Sequence, residues 1–127
     1  MKKEIENRDD IYLLVKNFYV KLMNDDELHH FFEEFKNPQL LEKHLQILVD
    51  FWENILFYSG GYRNNPMAIH QKLHQTKPIN SIHFNRWLSV FNSTVDELFV
   101  GENAHAIKSR ALSIATVMEI QISKANK

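Results

Sequence analysis

Apolar residues recur at three- and four-residue spacing along most of the chain, a pattern that predicts amphipathic helices. The first run consists of Ile11, Leu14, Val15, Phe18 and Leu22. Asn7 or Asp9 is positioned to cap its start, and Asn24-Asp25-Asp26 to end it. A short segment from Glu27 to Phe35 follows, with the aromatic residues Phe31, Phe32 and Phe35, and Pro38 separates it from the next run.

Three further helices are predicted by the same spacing. One runs roughly from Gln39 to Tyr58, with Leu56 beside an inward stripe of His44, Ile47, Leu48, Phe51, Trp52 and Ile55. The next is capped by Asn80 or Ser81 and carries Phe84, Trp87, Leu88, Phe91, Val95, Leu98 and Phe99. Gly101 should end it, and Asn103 should cap a final helix that carries Ile107, Ala111, Ile114, Ala115, Met118 and Ile122. With no convincing strand, the chain is predicted to be all-α.

Composition narrows the classes of protein that this pattern allows. A length of 127 residues predicts a single domain over residues 1–127, with its core over about 8–122. The net charge is −1, from 15 basic and 16 acidic residues well mixed along the chain, so nucleic acid is not an expected partner. No apolar run approaches the ~20 residues of a membrane-spanning helix. Without a visible secretion signal, a cytoplasmic location is expected. The absence of Cys excludes disulfides and thiolate metal sites.

The least regular part of the chain lies between the second and third long helices, from Ser59-Gly60-Gly61 to Pro78. It contains His70, one helical turn beyond Pro66, with Met67 and Leu73 three residues to either side. A lone histidine here could simply face solvent. However, proteins hold haem iron with one neutral imidazole beside a dry pocket, and aromatic helices on both sides could wall such a pocket. His74 shares a helical face with His70 and is an alternative metal ligand.

Three other side chains on three predicted helices could donate hydrogen bonds into the same pocket. They are Tyr19, on the buried face of the first helix; His44, at the opening of the second; and Trp87, in the aromatic run of the third. Each could equally be an ordinary core or boundary residue. If they converge, a bound diatomic ligand with partial negative charge would satisfy donors that otherwise cost about 1–3 kcal/mol each when buried without a partner.

Taken in order, these residues resemble the truncated haemoglobins, most closely their group III branch, over roughly residues 8 to 122. The residues that carry the resemblance are Phe18-Tyr19, Leu28, Phe31-Phe32, His44, Phe51-Trp52, Tyr62, Asn65-Pro66-Met67, His70, Phe84, Trp87-Leu88 and Phe91. The resemblance implies a two-over-two helical sandwich enclosing haem b. The paired glycines of the other branches are represented here by Gly60-Gly61 alone, which suits group III.

The resemblance also implies roles for individual residues. His70 would be the proximal iron ligand, Tyr19 and Trp87 the distal residues that stabilise the ligand, and His44 the distal gate. The haem contacts would be Phe32, Leu48, Phe51, Trp52, Met67, Phe84 and Trp87, while Arg63 and Lys43 are candidate propionate partners by position. Dioxygen, carbon monoxide and nitric oxide are the expected ligands, and the protein is expected to be a monomer.

Strong hydrogen bonds to bound dioxygen would slow its release, which argues against bulk oxygen transport. A polar distal side also allows nitric oxide dioxygenation or peroxidase-like chemistry, with an external reductase, although ligand binding without turnover is the first expectation. Two other classes stay open. His29-x-x-x-Glu33, His30-x-x-x-Glu34 and His70-x-x-x-His74 could belong to a non-haem di-iron bundle of hemerythrin type. The chain could also be a helical interaction module without a cofactor.

Overall fold

The computed structural model describes residues 2–57 and 81–125. In that part of the chain there are four α-helices and one 3-10 helix. They are α1 (Arg8–Met23), the 3-10 helix (His29–Lys36), α2 (Pro38–Phe57), α3 (Ser81–Leu98) and α4 (Glu102–Ala125). Within the described residues no strand is formed, and Lys3 and Phe99 make an isolated parallel β-bridge. The prediction of an all-α chain is confirmed.

The helices pack as two pairs, one laid over the other. α1 contacts α2, and α3 contacts α4, while α1 also packs on α3 and α2 on α4. The 3-10 helix bridges α1 and α2 at one end. This is the predicted two-over-two sandwich, and its core lies where the buried stripes of the four helices meet.

Local signals in the sequence place the start of α1 correctly. The side chain of Asn7 accepts a hydrogen bond from the backbone N–H of Asp10 at 3.0 Å, which caps the helix. Asp9 and Asp10 in the first turn and Lys21 in the last turn also suit the helix dipole. The predicted stripe of α1 is buried throughout, so here periodicity alone was sufficient.

The buried face of α2 is wider than predicted. Leu45 and Val49 are buried beside His44, Leu48 and Trp52, whereas Ile47, Phe51 and Ile55 are only partly buried. The reason is that α2 contacts α1, the 3-10 helix and α4, so it presents several sides to the protein interior. A single stripe could not describe such a helix.

A short N-terminal strap (residues 3–5) fastens the corner between α3 and α4. The N–H of Val100 donates to the carbonyl of Lys3 at 2.9 Å, and Ile5 is fully buried. The Glu4 carboxylate accepts hydrogen bonds from the backbone N–H groups of Asn103 and Ala104 at 2.9 and 3.3 Å. The prediction that Asn103 caps this helix is therefore wrong: α4 begins at Glu102, and Glu4 supplies the capping oxygen.

Candidate functional site

A buried hydrogen bond joins α1 to α2. Oη of Tyr19 lies 2.7 Å from Nε2 of His44. Tyr19 is 2% exposed and His44 is 7% exposed. The sequence placed both residues on inward faces, and the packing of α1 against α2 brings them together. The contact itself was not predicted, because it depends on how the two helices cross.

The protonation of this pair follows from its burial. Removal from water raises the pKa of the Tyr19 phenol well above its usual range, so the hydroxyl keeps its proton. If the imidazole carries its hydrogen on Nδ1, Tyr19 donates to Nε2. If Nε2 carries it, the imidazole donates to Oη and leaves the phenol hydrogen available to a third group. The pair thus has two hydrogen-bonding arrangements at the same interatomic distance.

Aromatic rings hold the pair in place. The ring of Phe35 stacks on His44 with centroids 4.5 Å apart and planes 21° apart. Phe18, Phe32 and Phe35 meet the Tyr19 ring edge-on, with centroids 5.7, 5.5 and 6.0 Å away. Phe35 was missed as a site residue. Its place in the aromatic cluster before Pro38 was the available signal, but the sequence does not say which of the three rings meets His44.

An apolar cavity of about 20 Å³ lies beside the pair. Its lining residues are Val15, Phe18, Tyr19, Leu48, Phe51, Trp52, Trp87, Phe91 and Ile114. The hydroxyl of Tyr19 is the polar group of a lining that is otherwise hydrocarbon and aromatic, apart from the indole nitrogens. A single water-sized molecule needs about 10–15 Å³ on this measure, so the cavity suits one small ligand.

Stacked aromatic rings form one wall of this cavity. Phe91 lies between two tryptophans: its ring centroid is 5.6 Å from that of Trp87, with planes 6° apart, and 5.6 Å from that of Trp52, with planes 23° apart. Phe18 meets both Trp87 and Phe91 edge-on, at 5.4 and 5.0 Å. The wall therefore joins α1, α2 and α3 in one packed unit. Such a wall excludes water and presents flat apolar surfaces.

The structure brings together most of the described residues that the sequence predicted for the site. Tyr19, Leu48, Phe51, Trp52 and Trp87 line the cavity. His44 is bonded to Tyr19, and Phe32 touches the Tyr19 ring. Val15, Phe18 and Ile114 were predicted only as core residues, and nothing in their spacing separates a pocket wall from a core.

Two other predicted site residues, Phe84 and Lys43, are described but do not line this cavity. Phe84 is buried in a smaller cluster with Ala115 and Met118, and the cavity residues Trp87 and Ile114 pack against that cluster. Lys43 is exposed on α2. Arg63, Met67, His70 and His74 lie outside the described residues, so the iron ligand and one candidate propionate partner remain predictions from sequence.

The residues suggested for a di-iron bundle do not assemble a metal site in the described part of the chain. His29 and Glu33 are both exposed on the 3-10 helix, with Nδ1 3.4 Å from a carboxylate oxygen. Among residues 2–57 and 81–125, no group of three or more His, Cys, Asp or Glu side chains could hold a metal ion. The helices of this part also include none that is both long and apolar enough to cross a membrane.

Comparison with known proteins agrees with this geometry. Residues 4–122 match the family described as bacterial-like globin. A group 3 truncated haemoglobin of Campylobacter jejuni is 26% identical over 126 residues, which cover 98% of this chain and 97% of that protein. The crystal structure of a group III truncated haemoglobin from Campylobacter jejuni superposes with a TM-score of 0.85, over 96% of this chain and 95% of that one.

Proposed function

The chain belongs to the bacterial-like globin family, and because globins bind small ligands at haem, we propose that it binds haem b and a diatomic ligand at ferrous iron. The described residues fit such a group. The apolar and aromatic side chains around the cavity suit contact with a porphyrin face, and the cavity itself, with its one hydroxyl, has room for one small polar ligand. When bound, haem would supply the iron atom that takes the diatomic ligand.

We assign the proximal iron ligand to His70. The support is indirect: thiolate ligation is excluded because the chain has no Cys, and His70 stands at the position that the resemblance gives to this ligand. A neutral imidazole at His70 would hold the iron and leave it able to take a small ligand.

The distal residues act through the Tyr19–His44 pair. When Nε2–H of His44 donates to Oη of Tyr19, the phenol hydrogen would be free to donate to a small ligand that carries partial negative charge. A hydrogen bond to a charged acceptor is stronger than one between neutral groups, so it should slow ligand release. Trp87 lines the same cavity and adds an indole N–H as a second donor.

The remaining residues retain the porphyrin and exclude water. Leu48, Phe51 and Trp52 would form the wall on the α2 side, and Phe32 would pack on the porphyrin face. Met67 and Phe84 are further proposed contacts, and Arg63 and Lys43 are proposed propionate partners.

The observation that carries this proposal is the buried 2.7 Å contact between Tyr19 and His44 at the edge of an aromatic cavity. Their hydrogen bond offsets the cost of burying the two polar groups, and the Tyr19 hydroxyl keeps further hydrogen-bonding capacity that a polar ligand could use. The Tyr19–His44 pair would also suit oxidation or reduction of the bound ligand, such as nitric oxide dioxygenation or peroxide reduction. Turnover of either kind would require an external reductase.

An absorption spectrum of the purified, reduced protein tests the proposal. An intense Soret band that shifts with carbon monoxide is expected, because the sixth iron position should be open. A His70→Gly variant should lose the five-coordinate ferrous spectrum and recover it with added imidazole, while a His74→Gly variant serves as the matched control. Absence of a Soret band after haem is supplied would overturn the proposal.

A further inference from the structure

Tyr19 and His44 also have the geometry of an oxidisable phenol beside its proton acceptor. The Oη–Nε2 distance of 2.7 Å lies within the roughly 2.6–3.2 Å range over which a positioned base takes a proton. In the arrangement with hydrogen on Nδ1, Nε2 presents its lone pair directly to the phenol hydrogen. Neither partner has to move for the proton to pass between them.

Burial makes this acceptor necessary for oxidation of the phenol. Loss of one electron from a tyrosine leaves a cation radical, and an unpaired charge is expensive in a site that is 2% exposed. Prior loss of the proton is also disfavoured, because burial raises the pKa of the hydroxyl. Removing the electron and passing the proton to Nε2 together avoids both charged phenol states and places the positive charge on the imidazole, which is a far stronger base than the oxidised phenol.

We propose that Tyr19 and His44 form a proton-coupled redox pair, in which Tyr19 gives up one electron while its hydroxyl proton moves to Nε2 of His44. The products are a neutral tyrosyl radical and an imidazolium. The oxidant class is a peroxide, whose O–O bond breaks with uptake of two electrons and two protons to give two waters. Tyr19 delivers these two electrons one at a time, and each imidazolium passes its proton to the reduced peroxide oxygens, which accounts for the two protons. After each step a one-electron donor such as ascorbate returns one electron and one proton to the tyrosyl radical. This inference rests on the proposed function, because the peroxide reacts at bound haem.

The surroundings favour Tyr19 as the place where such a radical stays. Among the described residues, the aromatic rings that contact Tyr19 besides His44 belong to phenylalanines, which are hard to oxidise. Phe18 contacts both the Tyr19 ring and the Trp87 ring edge-on. Tyr12 provides a natural comparison on the same helix: its hydroxyl donates to Glu42 at 2.7 Å, but that contact is exposed and Tyr12 does not line the cavity.

Freeze-quench electron paramagnetic resonance of the haem-loaded protein after hydrogen peroxide tests the pair. Ring-deuterated tyrosine should narrow the radical signal and so identify it as tyrosyl. The signal should persist in Tyr12→Phe and disappear in Tyr19→Phe. In His44→Gln, the amide oxygen still accepts a hydrogen bond but takes up no proton, so the radical should be lost although Tyr19 remains. In the unmodified protein, the tyrosyl radical should form more slowly in D2O, because the proposed step moves a proton.

Two outcomes would overturn the redox pair: a tyrosyl signal that survives in Tyr19→Phe, or one unchanged in His44→Gln and insensitive to D2O. The carbon monoxide spectrum of each variant is recorded alongside, so loss of haem is distinguished from loss of the radical.

If the chain takes up no haem, the proposed function fails, but the redox pair can still be tested separately. Flash-generated ruthenium(III) tris-bipyridine then oxidises a haem-free chain carrying Tyr12→Phe, Tyr58→Phe and Tyr62→Phe. A tyrosyl absorbance that depends on His44 would support the pair, and its absence would refute it.

Discussion

Replacing Tyr19 by phenylalanine removes one hydroxyl and leaves the ring, so it isolates the hydrogen bond to His44. Both side chains are buried, and water does not readily replace the missing group. A buried polar group left without its partner costs about 1–3 kcal/mol, so Tyr19→Phe should lower the free energy of unfolding by that amount. His44→Phe keeps a ring stacked on Phe35 and should cost a similar amount, because it orphans the phenol.

The double variant separates this bond from simple loss of packing. Replacing both partners by apolar groups of similar shape can be nearly neutral, so the double variant should be more stable than the sum of the single effects predicts, by at least about 1 kcal/mol. Urea unfolding measures all four proteins in one haem state, with midpoints compared at equal denaturant slopes. Tyr12→Phe, which breaks an exposed bond to Glu42, is the control and should change stability by no more than about 0.5 kcal/mol. Additive effects within about 0.5 kcal/mol would refute the coupling.

Three further predictions concern ligand release, alkaline stability and the N-terminal strap. In the haem-loaded protein, Tyr19→Phe should speed dioxygen release about 10- to 100-fold, because a bond to a charged acceptor contributes about 1.5–3 kcal/mol; stopped-flow displacement by carbon monoxide measures this, and an unchanged rate removes Tyr19 from the distal role. The raised pKa of Tyr19 means that the unfolded chain releases this proton at lower pH than the folded protein does. Stability should therefore fall as pH rises above about 10, and less steeply in Tyr19→Phe, as urea midpoints would report. Glu4→Ala should cost about 0.5–2 kcal/mol by removing the cap of α4, whereas the exposed Glu6→Ala should be near neutral; equal effects would contradict the capping role.

Helices and their buried faces could be predicted from the sequence wherever one helix presents one side to one partner. α1 is the clearest case: its stripe, its Asn7 cap and its end at Asn24 all follow from local signals. α2 was less predictable, because Leu45 and Val49 are buried by contacts that involve several elements. Burial by more than one neighbour leaves no single periodic pattern.

The candidate site was predictable as a set of residues and not as a set of contacts. Inward positions for Tyr19 and His44 follow from helical spacing, but a hydrogen bond between them requires the crossing of α1 and α2 to be known. The cap of α4 shows the same limit more strongly. Asn103 has the residue type that caps helices, yet the capping oxygen comes from Glu4, which is 99 residues away in the chain. No window of local sequence contains both partners.

The 99-residue separation of Glu4 and Asn103 also determines when the strap can pack during synthesis of the chain. Glu4 is synthesised long before Asn103, so the strap has no partner until nearly all of the described chain has left the ribosome. Contacts between residues so far apart form only after the intervening segment has closed on itself, and the loop entropy is lost before the contact stabilises anything. The strap can therefore pack only after the start of α4 has been synthesised. A nascent chain that stalls before Gly101 leaves Ile5 without the corner between α3 and α4 that buries it.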